Sequence, residues 1–311
     1  MGTGTGIGIG IPFRRMGGIS FQGLLDLYPN AKAAYSLRKL RAAYSGSAVR
    51  IRRSSDNAES DIGFLVNGNF NSAAAVAFCG AGNGFVTTWY DQSGNGINAT
   101  QSIAANQVQC IASGVWSNLF GTNNRASLNF DGLKRFIVGS PTALFTFTGD
   151  GSVFVPNQIR NLTASRYGAF VSQGATLAAR QTLAIPYQDF PGNTLIYNVD
   201  EYTARSFKDS NALSINTNYL ASFKWKNYST SNSNGNSVIR VNGAARSLTL
   251  GALAPTSLGA DRVFIGSSNE LTNSVDATIY AYMPEIIIYN SDQSANFVGI
   301  ENNINTYYGI Y

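Results

Sequence analysis

The sequence predicts an all-β fold, an antiparallel β-sandwich with a short helix near its N-terminal end and another at its C-terminal end. Three observations predict it. Short segments rich in Val, Ile, Tyr, Phe and Thr recur along the chain, at 85–90, 167–172, 219–226 and 263–265. Turn chemistry separates them, as in Ser93-Gly94-Asn95-Gly96, Asp131-Gly132, Asp150-Gly151 and Asn242-Gly243. No helical patterns alternate with these segments, which argues against a parallel α/β sheet.

Taken in order, residues 1–18 (MGTGTGIGIGIPFRRMGG) hold seven glycines. Glycine at alternate positions leaves one side of an extended chain bare, and such a segment loses much entropy on ordering. The expectation is an anchoring arm over 1–23, followed by one sandwich domain over 24–311. The arm is expected to seat Ile7, Ile9 and Ile11 against another chain and to pair Arg14 and Arg15 with its carboxylates. Residues 31–44 (AKAAYSLRKLRAAY) are strong helix formers followed by Gly46 as a cap, and predict a helix. Next, Val49 and Ile51 alternate with Arg50 and Arg52, the pattern of a half-exposed strand. Further strands are expected at 126–130, 143–148, 194–199, 237–241 and 277–289, and 228–236 is a polar loop. Ser291 or Asp292 is placed to cap a last helix reaching residue 305.

Composition excludes several function classes. Charged residues are 13% of the 311, about half the usual share. Net charge is +5, and residues 1–60 hold nine basic residues against three acidic ones. No base-reading motif or aromatic platform accompanies those charges, so no nucleic-acid partner is expected. No apolar run reaches the roughly 20 residues of a membrane span, and Met1–Gly10 does not read as a signal peptide. A soluble product of a cytoplasm, without membrane insertion, is expected. Cys79 and Cys110 are too few for a disulfide framework and lack metal-ligand spacing. The chain has no histidine, which removes Ser-His and Cys-His nucleophiles and His-ligated zinc. Neither a cofactor nor a metal is expected.

Two blocks carry a family resemblance. Residues 41–57 and 89–101, the latter containing WYDQSGNG, resemble the N-terminal half of the fungal α-L-arabinofuranosidase B catalytic domain, a concanavalin-like sandwich of the jelly-roll kind. The tail, VFIGSSNE and then AYMPEIIIYNSDQSANFVGIENNINTYYGIY, is similar to the last strands and final helix of laminin-G and concanavalin-like domains. With the glycine-rich start and the LLDLYPNA segment, the same blocks also resemble tail-fibre, spike and head-fibre virion proteins of phages of Bacteroidetes-type hosts. The phage resemblance implies a virion structural protein and homo-oligomer. Its arm would join other virion proteins, and its sandwich would meet a host-surface glycan or receptor.

The enzyme resemblance implies a retaining hydrolase with two carboxylates about 5–5.5 Å apart. It places Ser268 where the family's acid/base aspartate stands, with Glu270 two residues on, and it brings Val199-Asp200-Glu201 nearest to the nucleophile, off by one. The expectation is therefore a binding or structural module without catalysis. The alternatives are a glycoside hydrolase using Glu201 and Glu270, or a free carbohydrate-binding lectin. Trp89, Tyr90 and Asp91 are candidates for sugar contact. The residues themselves read more simply: the aromatics as core and Asp91 as the lock of a tight turn.

Overall fold

The computed structural model of the chain describes residues 21–138, 150–161, 167–176, 179–187, 196–199, 206–209, 211, 213–225, 237–250, 263–267 and 278–311. Among them, two antiparallel sheets pack face to face. Sheet A runs in the order β1 (Ala33–Ser36), β22 (Glu285–Tyr289), β11 (Gly151–Ile159), β16 (Asn218–Trp225), β17 (Val238–Val241), β18 (Ala244–Ala245). Two more strands, β21 (Tyr280–Met283) and β9 (Leu128–Asp131), extend it from β11. Sheet B runs β19 (Leu248–Leu250), β15 (Ser206–Asp209), β14 (Ile196–Val199), β13 (Ala179–Tyr187), β12 (Tyr167–Thr176), β20 (Val263–Ile265). It continues through β10 (Phe136–Val138), β5 (Ala99–Thr100), β4 (Gly84–Trp89), β2 (Val49–Arg53) and β3 (Glu59–Ile62), with β6 (Val108–Ile111) also on β4. A hairpin of β7 (Leu119–Phe120) and β8 (Arg125–Ala126) stands apart.

Sheet A is covered on both sides at its β1–β22 end, where both strands are buried at every residue. In β22, Ile286 and Ile288 join the core between the sheets with Trp89, Phe136 and Phe223. Ile287 and Tyr289 face the other way, into a second cluster with Leu24, Phe154, Phe297 and Ile304. That second cluster is closed by helices α1 (Leu24–Leu27) and α3 (Phe297–Tyr308). Sheet B keeps the alternating pattern expected of a one-sided sheet: Val49 and Ile51 are buried while Arg50 and Arg52 stand outside.

Three local expectations need correction. The expected helix at 31–44 is instead strand β1 at Ala33–Ser36, and the early helix is α1. Helix propensity is overridden there because every residue of β1 is buried: Ala33 and Tyr35 belong to the inter-sheet core and Ala34 to the helix-side cluster. A helix cannot present alternate residues to opposite sides in this way. The last helix starts at Phe297 rather than after Asp292, whose Oδ1 instead accepts from Ser294 N–H in the preceding turn. A helix not expected, α2 (Ser72–Cys79), is capped by Asn71, whose Oδ1 accepts from Ala74 N–H.

A buried ion pair ties β1, β22 and α3 together. Glu285 accepts from Arg38 Nε at 2.7 Å and Nη2 at 3.0 Å, from Ser36 Oγ at 2.7 Å and from the Tyr308 hydroxyl at 3.2 Å. Arg38→Leu strands this carboxylate in the core, and we expect it to cost about 3–5 kcal/mol, read as a lowered thermal midpoint with the unfolding still cooperative. Cys79 and Cys110 are buried free thiols, and burial raises the pKa of both.

Candidate functional site

The outer face of sheet B is where polar side chains gather in the half of the chain up to residue 138. Arg50 on β2 and Asp61 on β3 are direct cross-strand partners. Their side chains form a bidentate pair at 2.8 and 2.9 Å, and Tyr90 donates its hydroxyl to Asp61 Oδ1 at 2.7 Å. These bonds, Arg50 first, hold the Asp61 carboxyl below its ordinary pKa. Burial and the adjacent Asp61 push the Tyr90 phenol up to about 12. Beside them, Arg52 donates to Gln107 and Asn57 and lies over the Phe85 ring, while Arg53 pairs with Asp56.

The sequence candidates in this region divide. Trp89 is fully buried between Tyr35 and Phe136, with ring centroids 5.8 and 6.0 Å away, so it is a core residue with no face for a sugar. Tyr90 belongs to the Arg50–Asp61 group. Asp91 is 4% exposed and accepts from Ala34 N–H, Ser93 N–H, Ser93 Oγ and Ile97 N–H, at 2.7–3.1 Å. It closes the 93–97 turn and stitches that turn to β1. Gln92 does the same one residue on, accepting from Leu40 N–H and donating to the carbonyls of Ser36 and Arg38. Sequence reasoning missed Gln92, whose partners Ser36, Arg38 and Leu40 lie far away in the chain, and Asp61, whose partner Arg50 faces it across the β2–β3 pairing.

Most carboxylates with described side chains have structural partners. Asp26 accepts from Gly23 and Ala42 N–H groups, and Asp131 from Leu133 N–H. Glu301 pairs with Arg240, and Asp292 lies 3.7 Å from Lys224. Glu59 is exposed on the edge strand β3. Among the described residues no cluster of three or more His, Cys, Asp or Glu side chains is placed to hold a metal.

Asp200, Glu201, Ser268 and Glu270 lie outside the described residues, as do Ile7, Ile9, Ile11, Arg14 and Arg15 of the arm and the strand expected at 143–148. The strands leading to the carboxylates are described. Val199, the last residue of β14, shares a row across the sheet with Gln181, Gln173 and Val263, the first residue of β20. Ile265, the last residue of β20, shares a row with Val171, Leu183 and Tyr197. The two strands thus run out of sheet B at opposite ends.

On this frame the chain can be compared with known proteins. Residues 26–139 match the family model described as Alpha-L-arabinofuranosidase B, catalytic. That segment covers β1 to β10 and includes the Arg50–Asp61–Tyr90 group and the Asp91 turn. The chain is 36% identical over 91 residues to an alpha-L-arabinofuranosidase of Hypocrea jecorina, and 36% over 92 residues to a probable alpha-L-arabinofuranosidase B of Aspergillus fumigatus. Each match takes in 28% of this chain and 18% of the relative. Among solved structures, an arabinofuranosidase complexed with arabinofuranosyl-alpha-1,2-xylobiose superposes with a TM-score of 0.63 at 18% identity, over 91% of this chain and 64% of that one. A GH54 α-L-arabinofuranosidase soaked with a cyclic sulfate inhibitor gives 0.64, also at 18% identity and over 91% of this chain and 65% of that one. The fold is thus a concanavalin-like antiparallel sandwich of mostly β structure with few helices.

These matches correct the reading of function. The chain resembles arabinofuranosidases, not virion proteins, so the expectations of a phage spike or fibre, of a virion location and of a module without catalysis are overturned. They rested on Ser268 standing for an acid and on the glycine-rich start, and neither outweighs the sequence similarity over residues 26–139. No helix among the described residues is long and apolar enough to cross a membrane.

Proposed function

We propose that the chain is a glycoside hydrolase that releases α-L-arabinofuranosyl groups with retention of configuration. The observation that carries this is the family match over residues 26–139, a segment that includes β2 to β6 and β10 of sheet B, the sheet that also contains the strands leading to the carboxylate candidates. A hydrolase without histidine must draw its acid and its nucleophile from other side chains, and a carboxylate pair suffices. With most described carboxylates held in structural pairs, the pair comes from the remaining ones, and Glu201 and Glu270 are our assignment.

In that assignment Glu201 attacks the anomeric carbon as the glycosidic C–O bond breaks, and Glu270 gives its proton to the departing oxygen. Water then attacks the glycosyl ester, Glu270 takes the water proton, and the Glu201 carboxylate is released. Ser268 does not transfer the proton in this scheme, since an alcohol is far too weak an acid near neutral pH. The chain is comparable to only part of the enzymes it resembles, so the whole activity is tested on this chain itself. Purified protein incubated with 4-nitrophenyl α-L-arabinofuranoside is expected to release 4-nitrophenolate in proportion to enzyme concentration. No release above the uncatalysed rate between pH 4 and pH 7 would refute the proposal.

A further inference from the structure

The helix side of sheet A carries a groove that the hydrolase proposal does not use. It has a volume of about 640 Å³ and runs along α3 between Tyr28 and the β7–β8 hairpin. That size suits a small ligand. The hairpin is pinned against the end of α3. Asn123 Nδ2 donates to the carbonyls of Thr306 and Tyr307, and Gly121 (φ 71°) lies so close to the Tyr308 carbonyl that any Cβ there would collide with it.

Two guanidinium groups lie over the Tyr307 ring: Arg38 at 4.8 Å and Arg125 at 4.6 Å from its centroid. Their charges are balanced differently. Arg38 is neutralised by Glu285 and also donates from Nη1 to Asn303 Oδ1 at 2.8 Å. Arg125 donates from Nε to the Tyr307 carbonyl at 3.2 Å, and no described carboxylate lies within ion-pair distance of it. Its two terminal NH₂ groups are therefore available in a geometry that fits a planar carboxylate. The same side chain also lines a second cavity of about 220 Å³, together with Phe70 and Trp116. Around it stand groups suited to hydroxyls: the Asn303 amide donors, the exposed Asn302 and the Thr306 hydroxyl.

The geometry points to a binding site for an acidic saccharide, with the carboxylate of a uronic acid unit paired to Arg125 and the ring hydroxyls to the α3 amides. Sheet A separates this groove from sheet B, and the inference stands whether or not the chain turns over arabinofuranosides. The test uses the whole chain and isothermal titration with two probes, glucuronate-substituted xylotriose and its methyl ester. The acid is expected to bind at least ten-fold more tightly than the ester. Arg125→Gln is expected to abolish that preference. Asn302→Ala, at an exposed position, is expected to weaken both probes equally and leave the thermal midpoint in place. Should Arg125→Gln unfold the hairpin, Arg125→Lys keeps the charge, loses the fork and is expected to retain only part of the preference. Equal affinity for acid and ester, no binding of either, or equal competition by acetate or inorganic phosphate would overturn the inference.

Discussion

Asp91→Ala is expected to destabilise the protein by about 3–5 kcal/mol, among the largest effects of any single substitution here. Four donors converge on this carboxylate, and three of them are backbone N–H groups from Ala34, Ser93 and Ile97. A buried donor left without an acceptor costs about 1–3 kcal/mol, and the loss falls on both the turn and its stitch to β1. Tyr35 is affected too, since its hydroxyl donates to the Ile97 carbonyl at 2.6 Å and its ring packs on Trp89. Asp91→Asn keeps one acceptor oxygen and is expected to recover about half of the loss. Urea unfolding followed by tryptophan fluorescence measures both, and a loss below about 1 kcal/mol for the alanine variant would show that the turn holds without its lock.

The second large effect separates the two proposed catalytic roles. Glu201→Gln removes the nucleophile and is expected to lower turnover on the order of 10⁴-fold or more, whatever the leaving group. Glu270→Gln removes the proton donor, so its effect follows the leaving group. An alkyl arabinofuranoside, which must be protonated to depart, is expected to lose about 10²–10⁴-fold. For 4-nitrophenol, a good leaving group, bond cleavage is expected to lose far less. The base for the second step is also gone in this variant, and azide, which needs no base, is expected to restore release of the aryl substrate. Equal losses on both substrates without azide rescue would remove Glu270 from the acid/base role.

Much of the fold was legible in the residues because sheet periodicity is local. The Val49–Arg53 alternation marks which face is wet, and Pro284 divides the apolar run expected at 277–289 into β21 and β22. What misled was propensity where burial decides. Ala33, Ala34 and Leu37 favour a helix, yet their burial on two sides of sheet A requires an extended chain. The reverse holds at 72–79, where a run of alanines follows Asn71 and forms a helix capped by its side chain. The site was less legible. Arg38 meets Glu285 and Arg240 meets Glu301 across 247 and 61 residues of chain, and no spacing rule reaches that far. A single serine in the expected acid position weighed too heavily against function, because one position says less about chemistry than similarity spread over several strands.

The most direct test of the central claim is covalent trapping of the nucleophile. The whole chain is incubated with an arabinofuranose-configured electrophile that reacts at its anomeric carbon, and intact mass is followed by peptide mapping. The account predicts one adduct per chain, on the peptide containing Glu201, that is lost in Glu201→Gln and suppressed by free arabinose. A chain that stays unmodified at every carboxylate would contradict it.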